Sequence, residues 1–204
     1  DTTNVGGTFP IMGNVMTLVT GSSALASTTL QVLVTTGSST LNVDQTSEQE
    51  ITKFRIAETS SNEGVNLYSL TLYNYGNSGA SAYRPVRLLA QTGTVLATAQ
   101  PVGNWITFNL ATPYLIDKGL TKDFTIKAKI IAGTTQTIRL TVYNNYDIDL
   151  RGSTTGVSVL PGNAGSADTS FPVGKGANTQ TIGSGTATLV RTADSPNAAI
   201  TPGA

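Results

Sequence analysis

The chain has 204 residues, with 12 basic and 12 acidic side chains that give a formal net charge of zero, and it contains neither cysteine nor histidine. A neutral chain without a basic block gives no electrostatic reason to expect nucleic acid or an anionic membrane as partner. Without Cys and His there are no disulfides, thiolate nucleophiles or Cys/His zinc sites, the commonest general base is missing, and no cofactor is expected.

Only 12% of residues are charged, whereas Thr alone occurs 34 times, a balance typical of secreted β-proteins. No stretch approaches the roughly 18 uninterrupted apolar residues of a transmembrane helix, so no membrane insertion is expected. The sequence starts at Asp1 without a Met, as a chain would after removal of a secretory signal. An extracellular or cell-surface location is the expectation.

In chain order, residues 1–27 are a leader of Gly/Ser clusters around one short apolar run, 14–20, expected to be an edge strand. Residues 28–35 alternate well enough for a strand, and 37–49 read as a polar connection. In 50–57, Phe54 and Ile56 are in phase and Ile51 is not, which predicts a strand with a bulge at Ile51. Residues 66–75 place Leu70 and Leu72 in phase before a Gly-Asn-Ser-Gly turn, and a hairpin follows, 85–91 and 94–99 around Thr92-Gly93. Residues 105–110 put Ile106, Phe108 and Leu110 on one face, and Thr112-Pro113 is expected to turn the chain.

The strongest strand signal comes next. After turn residues Asp117, Lys118 and Gly119, apolar side chains fall on every second position, Phe124, Ile126, Ala128 and Ile130, while Thr125, Lys127 and Lys129 face water. A period of two with Lys on one face means a sheet buried on one side only, as in antiparallel sandwiches. A helix would scatter these residues around its circumference, and β-branching disfavours it further. Residues 137–143 repeat the pattern, with Ile138, Leu140 and Val142 inside and Arg139, Thr141 and Tyr143 outside. The short link at 132–135 predicts a hairpin with the preceding strand. A shorter strand at 157–160, an aperiodic stretch at 161–175 and a weak strand within 179–192 complete the chain.

Many short strands with no convincing helix predict an all-β, immunoglobulin-like antiparallel β-sandwich with extended, strand-bearing tails. The expected organisation is a leader with a junction strand at 1–27, the sandwich at 28–160, and a linker with a second junction strand at 161–204.

The two ends resemble each other. Residues 8–22, TFPIMGNVMTLVTGS, align with 170–184, SFPVGKGANTQTIGS: both open [Ser/Thr]-Phe-Pro-aliphatic and close Gly-Ser. Gly/Ser-rich composition alone does not produce a shared Phe-Pro. One domain flanked by two copies of a junction element is what one period of an array or polymer looks like. A tail strand that pairs with the open sheet edge of another copy satisfies that edge's backbone groups. Phe9, Pro10, Val15 and Leu18 in the first copy, and Phe171, Pro172, Ile182 and Leu189 in the second, are the expected junction residues. The blander reading is that each tail pairs with its own domain.

Thr29-Leu-Gln-Val, Ile51-Thr-Lys-Phe-Arg-Ile, Val86-Arg-Leu-Leu, Thr107-Phe and the run from Lys118 to Ile130 (KGLTKDFTIKAKI) resemble the immunoglobulin-like repeats of large secreted bacterial surface proteins. The resemblance covers about residues 25–160, and its most specific part is that last run. It implies a structural role in a surface-layer, adhesin or appendage protein. Such repeats usually lie in tandem and this chain holds one full copy, so assembly between chains would replace covalent linkage.

Of the polar chemistry present, Asp147-Ile-Asp149 could bind Ca²⁺ with Asn144 or Asn145, though a solvated turn is the simpler reading. Glu48 and Glu50 could pair for glycoside hydrolysis, but no cleft of aromatic platforms accompanies them. Tyr73 and Tyr75 share a strand face, with Tyr68 on the opposite one and Tyr83 nearby, and could stack sugars in a carbohydrate-binding module. Trp105, the sole Trp, is out of phase with Ile106 and is expected to be exposed. Lys53, Lys127 and Lys129 read as edge protection. The sequence therefore predicts no enzyme and no metal. It predicts a structural subunit of an extracellular filament or surface lattice that joins to other copies of itself by strand exchange. The alternatives are a tandem repeat of a surface-layer or adhesin protein, or a carbohydrate-binding module whose partners are surface glycans.

Overall fold

In β4 (Val65–Asn74), Val65, Leu67, Leu70, Leu72 and Asn74 are buried while the residues between them are partly exposed. Odd positions point inward up to Leu67 and even ones from Leu70 onward. The phase changes at Tyr68, which the pairing of β4 with its neighbour skips between Leu67 and Ser69. This bulge turns Tyr68 to the outer face, where its ring packs against Arg151. The expectation that Tyr68 opposes Tyr73 is corrected accordingly.

The computed structural model describes residues 25–33, 39–164, 171–172 and 179–185. The predicted strand at 14–20 and junction residues Phe9, Pro10, Val15, Leu18 and Leu189 lie outside these. The chain is all-β, an immunoglobulin-like sandwich, with one 3-10 turn (Asn145–Asp147) among the described residues. One sheet has six strands: β1 (Thr28–Leu33), β3 (Asp44–Glu58), β5 (Tyr83–Ala90), β6 (Val95–Ala99), β8 (Thr121–Ile130) and β12 (Gly162–Asn163), in the order β12-β1-β3-β8-β5-β6. In the facing sheet β4 pairs antiparallel with β7 (Trp105–Ile116), β10 (Leu140–Thr141) and β11 (Ile148–Gly152). A third, small sheet joins β2 (Thr40–Asn42), β13 (Gln180–Gly183) and β9 (Thr137–Ile138), with β13 in the middle.

The inner faces of the two large sheets close on one core. Leu30, Phe54, Ile56, Val86, Leu88, Phe124 and Ile126 meet Leu67, Leu70, Leu72, Ile106, Phe108, Ile148 and Leu150. Phe54 and Phe124 are register partners on β3 and β8, and the Tyr114 ring stands edge-on to Phe124 at 5.4 Å from the opposite sheet. Each such fully buried side chain contributes roughly 1.5–3 kcal/mol relative to exposure.

Several local expectations change. The strand signal at 121–130 belongs to β8, but its partners are β3 and β5 rather than residues 137–143, so the predicted hairpin does not form. Because β8 and β3 are both interior strands, Lys127, Lys129 and Lys53 do not protect an edge; Lys127 stands beside Glu50 on β3 and Arg87 on β5. Residues 137–143 split at Arg139 into β9 and β10, and Thr141 is buried. The connection at 37–49 holds β2 and the first residues of β3, and the bulge at Ile51 is present. The chain does not turn at Thr112-Pro113; β7 runs through it to Ile116. At 157–160 only a single bridge, Arg151 to Ser158, is formed.

Candidate functional site

Two places stand out beyond the two large sheets, and they adjoin one another around β9 and β10. The first is the seat of β13. Ile138 and Leu41 are buried on its two flanking strands. Between them the tail segment Gln180–Gly183 runs parallel to β2 and antiparallel to β9. Both of its edges are hydrogen-bonded. On the β2 side the Thr181 amide donates to Ser39 O at 2.8 Å and the Val43 amide to Gly183 O at 3.4 Å. On the other side the Ile182 amide donates to Gln136 O at 2.8 Å, and the Thr135 amide to Ile182 O at 2.7 Å.

Alternation holds in this short strand too: Gln180 and Ile182 are 1% exposed, and Thr181 faces out. The seat is narrow. A Cβ on Gly183 would stand 2.9 Å from both Asn42 Oδ1 and Thr40 Cγ2, and one on Gly133 would stand 3.2 Å from Ile182 Cδ1. Of the predicted junction residues, Ile182 thus occupies the seat. Phe171 is half-buried against the core, and Pro172 beside it is also half-buried.

Two buried carboxylates lie where the described chain begins. Glu58, 3% exposed, accepts from the Ser60 hydroxyl (2.5 Å) and from the amides of Gly119 (2.5 Å), Ser60 (2.8 Å) and Ser61 (2.9 Å). Burial by itself would raise its pKa; the Ser60 hydroxyl and the three amides outweigh burial and lower it to about 2. Glu63 takes the amides of Thr154 and Thr155 and the Thr155 hydroxyl, and it too titrates below the ordinary value, again against burial. Ser60 and Asn62 also hold Leu25 O. These carboxylates organise turns and the root of β1, and every contact recorded for them is with backbone amides or hydroxyls.

The second place is an aromatic cluster on the outer face of the β4 sheet. Tyr73 lies in register with Trp105 on β7 and Thr141 on β10. Its ring centroid is 4.7 Å from Trp105, 4.9 Å from Tyr75 and 5.5 Å from Tyr143. Tyr75 and Tyr143 stack at 6.0 Å, and the Arg139 guanidinium lies 5.1 Å from the Tyr75 centroid. The Asn104 amide donates to the Tyr73 hydroxyl at 3.2 Å. Trp105 and Tyr143 are 40% and 39% exposed. The Tyr75 phenol titrates above the ordinary value, first through burial and then through Tyr143 and Tyr73, with Arg139 opposing.

Alternation along β4 and the out-of-phase Trp105 foreshadow part of this cluster. Tyr143 and Arg139 complete it only because β10 pairs with β4. Tyr83 is not a member. It is fully buried, and burial pushes its phenol up to about 12 against a smaller contribution from Asn74.

The other candidates are engaged elsewhere. Asp149 is gripped by Arg151 at 2.7 and 3.0 Å, and Asp147 accepts from the Asn144 amide, so each carboxylate of the DxD has its own partner. Among the described residues no group of three or more acidic side chains could hold a metal ion. Glu48 pairs with Arg87 at 3.0 Å, and Glu50 with Lys53 at 3.2 Å. An open concavity of about 610 Å³ beside Arg84, Pro85 and Gln100 has no carboxylate in its lining. No helix among the described residues is long and apolar enough to cross a membrane.

No protein-family model matches the chain, and no curated protein matches its sequence. Among solved structures it is similar to two forms of BcpA, the major pilin subunit of Bacillus cereus. They are 12% and 11% identical with TM-scores of 0.29 and 0.28, each over 67% of this chain and 41% of that one. It is similar to the same degree to a family 123 glycoside hydrolase from Clostridium perfringens, at 12% identity and a TM-score of 0.29, over 67% of this chain and 27% of that one. The chain spans less than half the length of each. Neighbours this distant and this unlike in function carry no functional argument, so the function is argued from the chain's own geometry.

Proposed function

We propose that the chain is a structural subunit of an extracellular filament or surface lattice, whose copies join when the leader of one enters the β13 seat of the next. The observation that carries this reading is the tail strand itself. The small sheet is completed by a segment from far along the chain that brings both edges of its own hydrogen bonding and one buried apolar side chain, Ile182. A segment of like sequence at the other end of the chain can make the same bonds, because strand pairing is mostly backbone.

The repeat fits the seat at its glycine but not at its buried apolar position, where the leader carries Thr20 in place of Ile182. Gly183, where a Cβ would press on the Asn42 and Thr40 side chains, aligns with Gly21, and exposed Thr181 aligns with Val19. Buried Gln180 aligns with Leu18, so the leader offers an apolar group where β13 inserts an amide. Burying a leucine contributes roughly 1.5–3 kcal/mol, about what is lost where Thr20 replaces the buried Ile182. The side chains thus leave the two pairings near balance, and the backbone bonds common to both decide that exchange is open. The expected partners are other copies of the chain, and the role is mechanical, with no catalysis.

Cross-linking tests this directly, because the chain has no cysteine of its own. Thr40 is the register partner of Thr181, so a Thr40→Cys chain mixed with a Val19→Cys chain is expected to give a disulfide-linked dimer on oxidation. Such a bond needs Cα atoms about 4.4–6.8 Å apart, which adjacent strands provide and chance encounters do not. A mixture that stays monomeric, while a Thr40→Cys/Thr181→Cys chain closes its internal bridge, would contradict the proposal.

A further inference from the structure

The aromatic cluster has a composition that strand exchange does not require. Three of its four rings carry a phenolic hydroxyl and the fourth an indole N–H, so each apolar face ends in a polar group. Asn104 adds an amide at the rim. Arg139 adds a guanidinium that lies over Tyr75 and, like Arg84, Lys118, Lys122, Lys127 and Lys129, enters none of the salt bridges among the described residues. No acidic side chain belongs to the cluster.

A purely apolar partner surface would leave these hydroxyls and the cation desolvated without partners, which costs free energy. A pyranose suits them: its C–H faces pack on aromatic rings and its hydroxyls bond at the rim. The uncompensated cation adds the sign of the charge. A carboxylate on the sugar can accept a bidentate pair of hydrogen bonds from a guanidinium, the strongest polar contact available here.

We infer that Tyr73, Tyr75, Trp105, Tyr143, Arg139 and Asn104 form a binding surface for an acidic polysaccharide, with Trp105 and Tyr143 as the stacking rings and Arg139 on a uronate carboxylate. The surface lies on the outer face of the sheet, where an extended polymer has access without entering a pocket. It borders the small sheet, since Arg139 separates β9 from β10. The inference stands apart from strand exchange: a chain that never assembles can still bind sugar here.

Trp105 is the sole tryptophan, so indole emission reports on the surface without labelling. The full chain is titrated with oligogalacturonate and, separately, with a neutral maltooligosaccharide of equal length. The expected result is a saturable change in emission with the uronate alone, weakened by added salt. Arg139→Gln and Tyr143→Ala should each weaken binding at least tenfold, and Arg139→Lys, which keeps the charge, should lose less than Arg139→Gln. Circular dichroism of each variant reports whether it has folded. No emission change with the uronate up to millimolar concentration would overturn the inference. Equal response to the neutral oligomer, or unchanged affinity in folded Arg139→Gln and Tyr143→Ala, would do so as well.

Discussion

Gly183 lies so close to Thr40 on the neighbouring strand that a Cβ built on it would stand 2.9 Å from the threonine Cγ2. A branched side chain there must displace both the Thr40 and the Asn42 side chains, and the Leu41 carbonyl oxygen behind them is 3.8 Å away. Gly183→Val is therefore expected to open the small sheet, raising amide hydrogen exchange of Thr181 and Ile182 toward that of unpaired chain while the β3–β8 pairing stays protected. Unchanged protection at Thr181 and Ile182 would show that the seat tolerates a side chain.

Ile182 is 1% exposed and packs with the core. Ile182→Ala removes most of that side chain and leaves a cavity, at a cost of about 2–5 kcal/mol if the small sheet unfolds together with the sandwich. Urea denaturation followed at two probes distinguishes the cases. A single transition displaced by that amount means one cooperative unit, and an early partial transition means that β13 detaches on its own.

Glu58 contributes to the pH dependence, and Glu63 acts in the same direction. The Glu58 pKa falls from 4.5 to about 2 on folding, so its contribution is complete above about pH 4.5 and is lost as pH drops through 2. The denaturant midpoint of the chain should be flat from pH 7 to 5 and decline below that. Glu58→Gln should lower stability at pH 7 by about 1–3 kcal/mol, because buried amides lose a charged acceptor. It should also flatten the acid limb, whereas an unaltered limb would place the acid sensitivity elsewhere.

Arg55 and Asp123 form a bidentate ion pair, with two bonds of 2.7 and 2.9 Å between β3 and β8. Even so, the Arg55 side chain is 43% exposed. A double-mutant cycle with alanine should give a coupling below about 1 kcal/mol that fades with salt, as for exposed pairs generally. A coupling of several kcal/mol would mean that water is excluded from this pair.

The fold was legible wherever one strand's own alternation decides its orientation. Phe124, Ile126, Ala128 and Ile130 point inward as their spacing requires, and the out-of-phase Ile51 marks a real bulge. What alternation cannot encode is which strand lies beside which. The short link before Thr137 suggested a hairpin, yet β8 has both edges occupied by β3 and β5, so the chain must cross to the other sheet. Tyr68 misled for a related reason: its bulge shows only in the partner's register.

The candidate sites divide in the same way. Ile182 was marked by the terminal repeat, and Tyr73, Tyr75 and Trp105 by local pattern. Tyr143 and Arg139 join those rings through the non-local pairing of β10 with β4, which left no trace in their neighbourhood. The buried carboxylates Glu58 and Glu63 were not anticipated, because their partners are backbone amides of turns that are distant in sequence.

The central claim is that the leader carries one copy into the next. Electron microscopy of the full chain beside one lacking residues 1–24 tests it most directly. The account predicts filaments or a lattice from the full chain, and dispersed monomers of unchanged thermal stability from the truncated one. Equal dispersal of both chains, or equal assembly of both, would contradict it.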